Sequence, residues 1–142
     1  DAGRGLLNRA QLFSSARRAY RWAQERAKPD AQREPGYQDR DRAFLEQSLT
    51  AVERRFDPKI DEAIFEAALR EYRTLATPER HASFDAAVPQ VLGGLYAGTE
   101  LADTQKRLAW LNQPVSAFQA SQDPFIRLAV ATYEEDMRRE SE

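Results

Sequence analysis

Proline follows a capping residue three times in this chain, at Asp57-Pro58, Thr77-Pro78 and Asp123-Pro124. Each pair has the grammar of a helix start, since aspartate or threonine accepts from exposed amides while proline occupies the first helical position without needing its missing N–H. Apolar residues between these starts recur at three and four, and no segment alternates convincingly with period two. The pattern predicts an all-α fold, a multi-helix bundle of about six to eight helices with short Pro-capped connections.

The first helix spans Leu6 to about Lys28, with Leu6, Ala10, Phe13, Ala16, Tyr20, Ala23 and Ala27 on one face, and Pro29 ends it. Leu12, Ala19 and Trp22 form a second stripe, which either packs inside the domain or meets another surface. The connector Lys28–Gly36 closes on Pro35-Gly36, the pairing that a type II turn requires. A second helix, about Gln38 to Phe56, turns Phe44, Leu45, Leu49, Val52 and Phe56 inward, and a third, Pro58 to Leu75, does the same with Ile60, Ile64, Phe65, Ala68, Leu69, Tyr72 and Leu75.

From Thr77 to Ala87 the pattern weakens, which suggests a short helix and a loop. A helix then resumes from Val88 to Ala97, closed by Gly98 and carrying Gly93 and Gly94 inside it at a cost of about 1 kcal/mol each, so a close backbone contact is their expected reason. Thr99 or Asp103 caps a helix with Leu101, Leu108, Ala109 and Leu111, in which Trp110 faces the core, and Pro114 opens a short one with Val115 and Phe118. The last helix starts at Pro124, is buried at first and frays from Arg138 to Glu142. Its Glu134-Glu135-Asp136 run reads as a solvated tail.

At 142 residues the chain suits one domain (1–142), and with no cysteine it has no disulfide, thiolate metal site or cysteine nucleophile. Twenty-one basic against 23 acidic side chains leave a net charge of −2, so no phosphate-binding field and no nucleic-acid partner are expected. The apolar stretches are too short for a membrane span.

His81 is the single histidine, and it excludes the metal sites that need two or more at fixed helical spacing. No serine sits in a glycine-flanked nucleophile turn, and no glycine-rich phosphate loop is present. His81 is expected to be an ordinary loop or helix-end residue, with no metal, no cofactor and no catalytic residue in this chain. Lys28–Arg42 is the densest polar stretch, either a connector held by local ion pairs or a rim that meets a substrate or partner domain.

Within that stretch, Lys28-Pro29-Asp30, Arg33-Glu34-Pro35-Gly36-Tyr37-Gln38 and Arg40-Asp41 resemble a signature of the bacterial dipeptidyl-peptidase family forty-six serine exopeptidases. Leu95-Tyr96-Ala97-Gly98-Thr99 with Leu101, Asp103 and Arg107, and Asp123-Pro124 with Leu128-Ala129, extend the resemblance from about Leu12 to Glu135. It implies part of the inserted helical domain that caps the chymotrypsin-like double barrel in that family. The catalytic serine, histidine and aspartate then belong to the barrel, and this chain alone hydrolyses nothing.

The implied partners are the peptidase domain of the same polypeptide and its peptide substrates, with a parent in the periplasm or on the surface of a Gram-negative bacterium. Arg33, Tyr37, Arg40 and Asp41 are the candidates for lining the cleft or docking the domains. Apolar surface exposed by separation from a partner domain would also suit a homodimer. The rival reading is a free-standing helical interaction module that presents a groove to an unrelated partner.

Overall fold

A computed structural model describes residues 9–51, 58–93 and 103–141 of the chain. Among these residues it contains seven α-helices and no strand: α1 (Arg9–Arg26), α2 (Arg42–Ala51), α3 (Pro58–Leu75), α4 (Pro78–Leu92), α5 (Thr104–Trp110), α6 (Val115–Gln119) and α7 (Pro124–Glu140). The multi-helix bundle expected from the periodicity is therefore the architecture of the described chain. Leu6, Val52, Phe56, Asp57, Leu95, Tyr96, Gly98, Thr99 and Leu101 lie outside the described residues. No described helix is long and apolar enough to cross a membrane.

The core has two compartments on either side of α1. In the larger one α1 and α4 lie along α7, and α3 and α6 close the sides. Phe13 meets Phe65 with ring centroids 5.2 Å apart, Tyr20 meets Phe118 at 5.4 Å, and Tyr133 stands edge-on to Tyr20 at 5.1 Å. Fully burying a side chain such as Phe65 or Phe125 contributes about 1.5–3 kcal/mol, so this apolar set outweighs any surface ion pair. Trp110, expected in the core, packs half-buried on Phe118 at 4.6 Å.

The smaller compartment gathers Trp22, Leu45, Leu49 and Leu111, with Tyr37 and Leu108 at its edge. It resolves the ambiguity of Trp22, which is packed by α2 and the end of α5 within the domain. Leu12 and Ala19 of the same stripe are buried in the larger compartment. Of the residues on α1, Trp22 is the one that turns to the smaller compartment.

Several local expectations are corrected. The second helix begins at Arg42 rather than Gln38, because a 3₁₀ turn, Asp39–Asp41, intervenes. Phe44 and Ile64, expected inward, are 65% and 60% exposed. Leu45 and Leu49 claim the inner face of α2, and Phe65 and Leu69 that of α3, so the residues one step away rotate out by about 100°.

The break expected over Thr77–Ala87 is absent. One continuous α4 runs from Pro78 through Leu92 because Phe84, Ala87 and Val91 keep a narrow buried stripe at three and four. Pro89 sits in its last turns, where the exposed side tolerates the missing N–H. Gly93 is not inside a helix but caps α4: its N–H donates to Pro89 O at 2.9 Å, and a Cβ there would come within 3.1 Å of that same oxygen. The close contact is thus with its own helix.

Of the two candidate caps for α5, Asp103 does the capping, its carboxylate accepting from Gln105 N at 2.8 Å and Lys106 N at 3.3 Å. Asp123 caps α7 likewise through Phe125 N at 2.9 Å. Thr77 adopts the extended cap conformation but makes no side-chain bond to the backbone of α4.

The C-terminal end differs most from its sequence reading. Glu135 is not part of a solvated tail: it is fully buried, and its carboxylate pairs with Arg138 and, at 3.5 Å, with Arg80. Arg138 also donates to Leu75 O at 3.0 Å, which fastens α7 to the end of α3 where fraying was expected. The helix stays regular to Glu140.

Candidate functional site

The polar stretch Lys28–Arg42 folds as a chain of small turns anchored to α1. Pro35-Gly36 makes the expected turn: Tyr37 N donates to Glu34 O at 3.0 Å, and Gly36 takes a φ of 92° that a side chain would resist. Glu25, buried at the end of α1, holds this turn from beneath by accepting from Glu34 N at 2.8 Å and Lys28 Nζ at 2.6 Å.

Arg33 staples the connector. Its guanidinium donates to Lys28 O at 3.1 Å, Arg26 O at 3.4 Å, Asp30 at 3.2 Å and Asp39 at 2.6 Å. Asp41 is a cap, its carboxylate accepting from Gln38 N at 3.1 Å. Arg40 points to solvent with no partner among the described residues. Of the four candidates, Tyr37 lines a cleft in which the other three take no part.

That cleft, about 570 Å³, opens between α1 and α7 with Tyr37 on its rim. Its walls carry Arg17, Arg18 and Arg21 from α1 and Arg139 from α7, against the carboxylates Asp136 and Glu140. Arg17 pairs with Asp136 while lying 5.6 Å from the centroids of both Phe13 and Tyr72, and the Tyr72 hydroxyl donates to the same carboxylate at 3.1 Å. Arg21 pairs with Glu34 and stacks 4.9 Å over Tyr37. Arg18 and Arg139 are exposed and have no partner among the described residues.

Burial raises the Tyr133 hydroxyl above its ordinary range, with the Glu25 charge adding to the effect, and burial likewise raises Tyr72. The cleft thus brings guanidiniums from α1 and α7 beside the Asp136 and Glu140 carboxylates and the Tyr37 and Tyr133 rings.

Charge density along the chain peaks in the connector and so points away from these arginines. Arg17, Arg18 and Arg21 share one side of α1 at helical spacing, a signal that was present; the contribution of Arg139, more than a hundred residues later, was not. His81 lies in the first turn of α4, Nε2 3.0 Å from Ala76 O, in the helix-end role expected of it. No cluster of three metal-ligating side chains exists among the described residues.

Comparison with known proteins gives the chain a lineage. The Asp/Glu-specific dipeptidyl-peptidase of Shewanella putrefaciens strain CN-32 is 40% identical over 138 residues, covering 91% of this chain. The chain spans 19% of that relative's length, about a fifth. The Peptidase S46 family model matches residues 3–142, nearly end to end. With that match and this relative, the chain belongs to the peptidase S46 family.

Proposed function

We propose that this chain is a helical cap of a serine dipeptidyl-peptidase, a lid over the active-site cleft that admits a peptide N-terminus and limits release to dipeptides. The observation that carries the reading is a family match over residues 3–142 in a chain whose described elements are all helices and which spans 19% of a dipeptidyl-peptidase. A lid acts by excluding long or internal chain, displacing water and ordering the substrate before attack. The nucleophile, base and acid are supplied by the rest of the parent, which by kinship with the Shewanella enzyme takes peptides carrying aspartate or glutamate.

The connector suits such a lid. Arg33, Glu25 and Asp41 make it rigid, and that rigidity holds Tyr37 and Arg40 at fixed places where they can line the substrate cleft or dock the peptidase domain. Phe44 and Ile64 add exposed apolar area for such docking. We place the parent in the periplasm or on the cell surface of a Gram-negative bacterium, as the family resemblance implies.

The test is product length. The full-length parent and a form lacking this helical segment are given a peptide of several residues, with hydrolysis of a dipeptidyl fluorogenic substrate confirming that the catalytic part is intact. Loss of strict dipeptide release supports the cap; unchanged dipeptide release by the segment-less form refutes it.

A further inference from the structure

We propose that the groove between the end of α1 and the turn joining α5 to α6 binds the C-terminal residue of a short peptide, with Arg26 as the cation that meets its carboxylate. This inference rests on the cap reading and adds a contact at the substrate's other end. The groove encloses about 490 Å³, within the range of small-ligand pockets. Its apolar lining comes from Ala23 and Ala27 at the end of α1 with Pro114 and Val115, and no carboxylate lines it. Arg26 lines it too and has no carboxylate partner among the described residues; its guanidinium donates to Leu111 O at 3.3 Å.

The far wall is fixed by the fold. Asn112 N donates to Ala109 O at 3.0 Å and Gln113 N to Trp110 O at 3.1 Å, so α5 closes into a tight turn, and the Trp22 indole pins Leu111 to α1. Arg42 donates to Asn112 Oδ1, which leaves the NH2 of that carboxamide as the end able to donate, and Gln113 adds a second carboxamide. Carboxamides suit a peptide main chain, which both donates and accepts. A guanidinium suits a carboxylate through paired N–H groups, and the apolar lining takes a side chain. A terminal residue offers all three at once. A residue within a chain has no carboxylate for Arg26, and a nucleic acid would find one cation here in a chain of net charge −2.

The test uses the full-length parent and peptides of graded length with no acidic residue after the cleaved dipeptide, each made as the free acid and as the C-terminal amide. At the length that reaches the groove, the free acid is expected to show a KM about tenfold below that of the amide, the effect of one charge-assisted contact. Arg26→Ala should raise the free-acid KM to the amide's value with kcat kept, and Arg26→Lys, which keeps the charge without the planar fork, should recover part of the difference. Ala27→Glu sets a carboxylate in the groove at an exposed position and should raise the free-acid KM more than the amide's. The difference shrinks toward about 0.5 M salt, where exposed charges are screened.

Equal KM values for acid and amide at every length overturn the proposal, as does a rise in Arg26→Ala that falls alike on both. Lowered thermal stability of that variant with an unchanged acid-to-amide ratio also overturns it, assigning the groove to contact with the rest of the polypeptide. The cap is judged separately, by product length. Unchanged dipeptide release by the parent lacking the helical segment would remove the cap reading and this inference with it. Loss of strict dipeptide release in that form, beside an acid-to-amide ratio that Arg26→Ala leaves untouched, would remove the groove alone.

Discussion

Trp22 Nε1 donates to the carbonyl oxygen of Leu111 at 2.7 Å, joining the middle of the chain's first helix to the residue that ends α5, 89 positions later. The bond is buried and sits in the smaller core compartment, where Leu45 and Leu49 complete the packing around the indole. It is the point at which α1, α2 and α5 are held in register.

Replacing Trp22 tests how much of the fold depends on that point. Trp22→Ala should cost about 3–5 kcal/mol through lost burial and the cavity left behind. Trp22→Phe should cost about 1–2 kcal/mol, since Leu111 O keeps a second, longer donor in Arg26 at 3.3 Å. Urea unfolding measures both, with a shifted midpoint at constant slope marking a stability effect.

Gly36 gives a cleaner test, because a Cβ added there meets nothing within 4 Å and the whole penalty is its φ of 92°. Gly36→Ala should destabilise by about 1–2 kcal/mol, and Gly36→Asn by less because asparagine tolerates the left-handed region. If Gly36→Ala is neutral in the same unfolding assay, the turn does not constrain the connector as described.

How far the sequence alone could reach depended on whether a residue's environment is set by its own helix or by distant ones. Pro78 and Pro124 announced helix starts because capping is settled within four residues. Phe44 and Ile64 were misplaced because apolarity marks a face only to within one residue, and the neighbours that choose between adjacent stripes lie on other helices. Arg33, Tyr37, Arg40 and Asp41 were found as a dense motif, yet their division into staple, rim, solvent and cap follows from three-dimensional partners. The cleft escaped notice for the same reason, since α7 meets α1 only in the fold.

Burial holds the hydroxyls of Tyr20, Tyr72 and Tyr133 above the ordinary tyrosine value of 10.0. In the unfolded chain these groups lose their protons first, so the unfolded state binds fewer protons once the pH passes that value. The stabilisation they represent is complete below it and is lost as pH rises through the folded values. Unfolding followed from pH 9 upward should show an alkaline decline that the combined Tyr20→Phe, Tyr72→Phe and Tyr133→Phe variant shows less; an identical decline would place its cause elsewhere.

Glu135 illustrates how charge can be structural in a segment that looks like a solvated tail. Its side chain is fully buried between Arg138 and Arg80, which are themselves 26% and 38% exposed. Glu135→Gln keeps the shape but removes the buried charge that both guanidiniums face. Breaking a fully buried pair costs about 3–5 kcal/mol, and because both arginines reach water the expected loss here is smaller, about 2 kcal/mol. Hydrogen exchange should locate that loss at the far end of α7, where Arg138 would release Leu75 O while the buried start around Phe125 and Leu128 stays protected. A loss below about 0.5 kcal/mol with protection unchanged would mean that apolar packing alone seats the helix end, as is common for surface ion pairs.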